Sequence, residues 1–130
     1  MTSEEQRNLD APKRWDEFYN NRPTEYVDAC CASDYRNRFF PNAGGWPEVS
    51  GIEGLREAAQ HILDILPDRR MTVEGMMAGG GAVALEVQFS GTVAQDAPNL
   101  PPVGTQIQIP LCVVLRFRDG LIVQESIYGL

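Results

Sequence analysis

The chain has 130 residues, a formal net charge of −7, and 43% hydrophobic against 22% charged residues. Length and balance fit one globular domain and exclude a disordered or collagenous chain. No apolar run approaches the roughly 20 residues that cross a bilayer, and an acidic chain without a basic run repels phosphate, so neither membrane nor nucleic acid is an expected partner. The polar, acidic residues 1–7 resemble neither a secretory h-region nor an Arg-rich transit peptide. Cys30, Cys31 and Cys112 make an odd set with two adjacent members, which predicts reduced thiols and a cytoplasmic location. His61 is the sole histidine, so two-histidine metal motifs are absent and no metal is expected.

Residues 1–10 read as a polar, flexible arm and residues 11–130 as a single domain. A first helix is expected to open near Asp10 and Pro12, since proline suits a first helical turn. Trp15, Phe18 and Tyr19 give it one aromatic stripe. Asn20-Asn21-Arg22-Pro23 breaks it. A second helix, capped by Thr24, buries Tyr26, Val27, Cys30 and Cys31 and ends at Asp34. Residues 35–40 form a short strand, and residues 41–47 form a loop rich in Pro, Gly and Asn. The third helix is the clearest element, spanning residues 52–66 with Leu55, Ala58, Ala59, Ile62, Ile65 and Leu66 on one face. His61 stands at the edge of that face. Pro67-Asp68 stops the helix.

From residue 71 the period changes to two. Met71, Val73, Gly75 and Met77 alternate with Thr72, Glu74 and Met76. Gly79-Gly80-Gly81 turns the chain into Val83, Leu85, Val87 and Phe89. After a loop over residues 91–104, two further strands flank the Arg118-Asp119-Gly120 hairpin. Helices followed by strands indicate an α+β fold. The expected architecture is a cone-shaped, curled antiparallel sheet packed on three N-terminal helices, with a cavity inside the cone.

Several short motifs stand in a familiar order. Gly51-Ile52-Glu53-Gly54 opens the third helix and Leu66-Pro67-Asp68 ends it. Ser90-Gly91-Thr92 closes a long strand. Pro101-Pro102-Val103-Gly104 and Phe117-Arg118-Asp119-Gly120-Leu121-Ile122-Val123 follow. In order and spacing, over residues 12–130, the chain resembles the SnoaL-like polyketide cyclases of the nuclear transport factor 2-like superfamily. The resemblance implies a cofactor-independent cyclase, isomerase or dehydratase acting on a polyketide-like or polycyclic intermediate. It also implies a His after the Gly-Thr pair and an Asp on the last strand. Val93 and Leu130 occupy those positions.

With that acid/base pair missing, the expected polar groups come from elsewhere. The catalytic candidates are Arg38, Asn37, Tyr128 and His61. The substrate-binding candidates are Trp15, Tyr19, Tyr35, Phe89, Val93 and Ser126. Alternation groups Tyr35, Asn37 and Phe39 on one face of the short strand, and Arg36 with Arg38 on the other; only one set can face the cavity. On the last strand it sets Ile122, Gln124, Ser126, Tyr128 and Leu130 inward. An arginine in an apolar cavity would hold a carboxylate, enolate or phenolate oxygen. The expected partners are a hydrophobic small-molecule substrate or ligand and a second copy of the chain, docked through an outer sheet face bearing Ala84, Cys112 and Val114. The alternative is a non-catalytic ligand-binding or dimerisation domain of the same fold.

Overall fold

A computed structural model describes residues 3–42 and 45–130. In chain order the elements are α1 (Ser3–Asp16), α2 (Pro23–Cys30), β1 (Cys31–Phe40), α3 (Ile52–Ile65), β2 (Arg70–Gly79), β3 (Ala82–Thr92), β4 (Gln106–Arg118) and β5 (Leu121–Tyr128). The strands form one curled, unclosed sheet in the order β1-β5-β4-β3-β2, so β1 and β2 are its edges. The fold is α+β, as the order of helices and strands predicts. The hairpin-linked strands pair antiparallel, whereas β1 pairs parallel to β5. The expectation of an antiparallel sheet is corrected at that edge. One helix and three strands separate β1 from β5, and so long a connection permits parallel pairing.

The helix ends differ from the local signals. α1 begins at Ser3, so Pro12 stands within it, and at Asp16 it passes into a π-helical turn, Glu17–Asn21. Asn20 ties that turn to β2: its Nδ2 donates to the Met71 carbonyl and its Oδ1 accepts from the Met71 N–H, each at 2.8 Å. α2 starts at Pro23, and its N-terminal flank, Arg22, makes no side-chain cap, so Thr24 is not the capping residue. Nor does Asp34 end α2. The helix stops at Cys30, and Asp34 lies on β1, accepting from Arg118 at 2.9 and 2.6 Å.

Burial follows the sheet's two faces. Val83 and Leu85 of β3 and Val113 and Leu115 of β4 are fully buried on the concave face. α3 covers that face. Leu55 and Ala59 join the main core, and Ile62 and Ile65 pack with Leu66 and Val93 in a smaller cluster. No helix among the described residues is long and apolar enough to cross a membrane.

Two strands carry an extra residue. On β2, Val73 faces Val87 and Gly75 faces Glu86, which leaves Glu74 unopposed. On β5, Ile122 faces Phe117 and Gln124 faces Arg116, which leaves Val123 unopposed. Such a bulge reverses the in–out order of every residue beyond it. On β2 it turns Ala78 toward the core and leaves Met77 exposed. On β5 it decides which side chains enter the cavity.

Candidate functional site

The cone encloses a cavity of about 380 Å³, bounded by the concave sheet face, α3 and the loops at residues 45–47 and 97–100. Its wall is mostly apolar, with Leu55, Ile62, Phe89, Ile107, Ile109 and Leu111 among the lining residues. A small set of polar groups interrupts it: Glu125, Arg69, Asn37 and three tyrosines, Tyr19, Tyr26 and Tyr35, with His61 and Asn99 exposed at the rim. An apolar chamber with few polar groups is the usual form of a small-molecule site.

Glu125 is the acid of this chamber. It lies between Asn37 of β1 and Leu115 of β4 and is 5% exposed. Its Oε1 accepts from the Tyr35 hydroxyl at 3.0 Å and from the Tyr26 hydroxyl at 3.3 Å. Burial pushes its carboxyl above the usual value, because a charge is disfavoured away from water; the two phenol bonds oppose this less strongly. Burial, reinforced by the Glu125 charge, raises both phenols well above the ordinary tyrosine value, so they remain protonated donors at neutral pH. Asn37 supports the arrangement. Its Oδ1 accepts from the Val49 N–H at 2.9 Å, which ties β1 to the loop ahead of α3.

Arg69 is the cation, also 5% exposed. Its Nη1 donates to the Tyr19 carbonyl at 3.1 Å, and its guanidinium lies 4.1 Å above the centre of the Tyr19 ring. Tyr19 itself leaves the π-helical turn to stack on Trp15, with ring centres 5.1 Å apart. Burial pushes its phenol up to about 12; Arg69 pulls the value down and Glu125 pushes it further up. The Tyr19 hydroxyl therefore feels both charges of the chamber. Among the described residues no cluster of His, Cys, Asp and Glu could hold a metal ion.

Of the residues expected at the site, Asn37, His61, Tyr19, Tyr35 and Phe89 line this cavity. The remaining five lie elsewhere. Arg38 and Ser126 are opposite one another on the convex face of the sheet, and Phe40 and Tyr128 stack beside them with ring centres 4.8 Å apart. Arg38 lies 4.9 Å over the Phe40 ring, well away from the chamber. For Ser126 and Tyr128 the cause is the β5 bulge. Counting by twos from Ile122 sets Ser126 and Tyr128 inward, but the extra Val123 gives the inner face to Glu125 and Ile127 instead. Trp15 is buried behind Tyr19, with its indole Nε1 lacking a partner among the described residues. Val93 is packed against Ile65 and Leu66.

Glu125, Arg69 and Tyr26 are the buried polar lining groups absent from the expected set. A signal exists for each. Ile122 and Ile127 are both apolar and five positions apart, so strict alternation cannot bury both without an extra residue between them. Arg69 stands just ahead of β2, two residues before Met71 and four before Val73, in phase with the inward residues of that strand. Tyr26 reads as core and is core, yet its hydroxyl reaches Glu125. Tyr35→Phe removes the closer donor to the Glu125 carboxylate, so the Glu125 pKa is expected to rise further. Carbon-13 NMR titration of labelled glutamate reads this; a fall in that pKa would contradict the assigned bond.

The sequence matches the SnoaL-like polyketide cyclase family over residues 9–128. No match to a curated protein reaches significance. Solved structures show the same fold at low identity. A protein designated a SnoaL-like polyketide cyclase, from Jannaschia sp. CCS1, superposes with a TM-score of 0.80 at 18% identity, covering 98% of this chain and 88% of that one. IdmH from Streptomyces antibioticus, designated a polyketide cyclase, gives 0.74 at 24% identity over 92% and 89% of the two chains. An epoxide hydrolase of the LEH-like type from M. tuberculosis gives 0.77 at 17% identity over 100% and 83%.

Proposed function

The chain belongs to the SnoaL-like polyketide cyclase family, and from that premise we propose a cofactor-independent cyclase, isomerase or dehydratase in which Glu125 carries the proton. The substrate class is a polyketide-like or other polycyclic carbonyl compound. The observation that carries this reading is the buried Glu125 carboxyl, bonded to Tyr35 at 3.0 Å and facing an apolar chamber. A buried carboxyl raised above its ordinary value suits general acid–base work, because the shift favours its taking up a proton and its phenol partners hold it in place to return one.

In the proposed reaction the Glu125 carboxylate removes a proton from the carbon beside a substrate carbonyl. The C–H electron pair moves into the carbonyl, and the developing enolate oxygen accepts a hydrogen bond from the neutral Tyr19 phenol. Protonated Glu125 then returns its proton to another carbon, to a new hydroxyl or to a departing one. Tyr26 and Tyr35 hold the carboxylate in place, and His61 and the loop at residues 97–100 form the rim. Proton exchange tests this without the natural substrate. The protein in D₂O is expected to accelerate deuterium uptake at the activated methylene of 2-tetralone, read by NMR; a rate equal to that of buffer would overturn the reading.

The convex face is the proposed surface of a homodimer, since Cys112 and Val114 are half-exposed there beside Tyr128. A monomer mass in light scattering at micromolar concentration would contradict that.

A further inference from the structure

Arg69 has no part in the proton transfer described above, yet it is the most costly group in the chamber. A guanidinium stays charged under all ordinary conditions, and burying it without a counter-charge is unfavourable. Five N–H donors are available, and among the described residues few of them are engaged. One goes to the Tyr19 carbonyl at 3.1 Å, and the Tyr19 ring meets the flat face. Among the described residues no carboxylate forms an ion pair with Arg69. Glu125 lines the same chamber but is engaged by Tyr26 and Tyr35. The cavity thus contains a fixed, nine-tenths-buried cation with donors to spare.

We propose that Arg69 receives a carboxylate of the substrate, so that the protein acts on a hydrophobic carboxylic acid rather than on its ester. This rests on the reading of the cavity as the substrate site. A carboxylate matches the planar guanidinium fork and supplies one negative charge for one positive. A phosphate dianion would bring a second charge into apolar surroundings with nothing to meet it. The surface does not favour anions, since the chain carries a net charge of −7. Selection of the acid therefore comes from this one local contact. Arg69 and Glu125 line the same chamber, so an acid held by Arg69 shares that space with the proton carrier.

Binding of naphthalene-2-carboxylate and of its methyl ester, measured by calorimetry at neutral pH, separates the possibilities. The wild-type protein is expected to bind the carboxylate about tenfold or more tightly than the ester, which is the effect of one charge-assisted contact. Arg69→Met is expected to abolish that preference while ester affinity changes by less than about threefold. If Arg69→Met fails to fold, Arg69→Lys decides. It keeps the charge and loses the fork, so a reduced preference supports the proposal and an unchanged one overturns it. Equal or tighter binding of the ester by the wild-type protein overturns the role of Arg69 alone and leaves the Glu125 reading intact. Binding of neither compound at millimolar concentration overturns the cavity as substrate site, and this proposal with it.

Discussion

Glu125→Gln is expected to lower proton-transfer turnover by about 10²- to 10⁴-fold, the usual worth of a positioned acid–base group. Glutamine fills the same volume and still accepts hydrogen bonds from Tyr26 and Tyr35, so the variant should fold. What it lacks is a proton that comes and goes. The same substitution has a signature in stability. The folded protein holds the Glu125 proton more tightly than the unfolded chain does, because burial raises the carboxyl above its ordinary 4.5. Between 4.5 and that raised value the native state binds more protons, so its stability falls as pH rises. The contribution is fully present below this window and lost above it. Wild-type protein should therefore lose thermal stability as pH rises above about 4.5 more steeply than Glu125→Gln. Parallel stability profiles, or turnover within a few-fold of wild type, would contradict the assignment.

Leu115→Ala is expected to cost about 2–5 kcal/mol of folding stability, as other fully buried leucines do when cut back. Leu115 is fully buried and stands directly opposite Glu125 on β4. Urea unfolding checks the size, and an unchanged denaturant slope would show that the loss lies in packing. The loss should also reach the site. A cavity beside Glu125 admits water, and a better-hydrated carboxyl moves back toward its ordinary pKa. A destabilisation below about 1 kcal/mol would mean that the β4–β5 floor of the chamber is not close-packed as described.

Much of the scaffold is legible in the sequence because its physical signals are local. The apolar face of α3, the Gly-rich turn before β3 and the Asp119-Gly120 turn before β5 each depend on neighbours a few residues away. The alternation of Val83, Leu85 and Val87 also holds, because β3 is paired without interruption against β4. The site is less legible, since β1, β2 and β5 are all irregularly paired. Period-two counting across Val123 assigns Ser126 and Tyr128 to the cavity and hides Glu125 behind them. The bulge depends on how β5 pairs with β4 and β1, which is a non-local matter. Arg38 illustrates a different gap. Alternation on β1 separates it from Asn37, but which set faces inward is decided only when β1 docks parallel beside β5. Arg69 falls where a helix stop meets a strand start, and a charged doublet there reads as solvated surface. Its burial follows from the π-helical turn that lays the Tyr19 ring across it.

A direct NMR titration of the Glu125 carboxyl tests the account where it matters most. Carbon-13-labelled wild-type protein, with Glu125→Gln identifying the resonance, gives the pKa without any substrate. The account predicts a value clearly above 4.5, matching the pH at which proton-exchange activity is half-maximal. A Glu125 pKa at or below 4.5, or activity that titrates independently of it, would contradict the claim that this buried acid is the proton carrier.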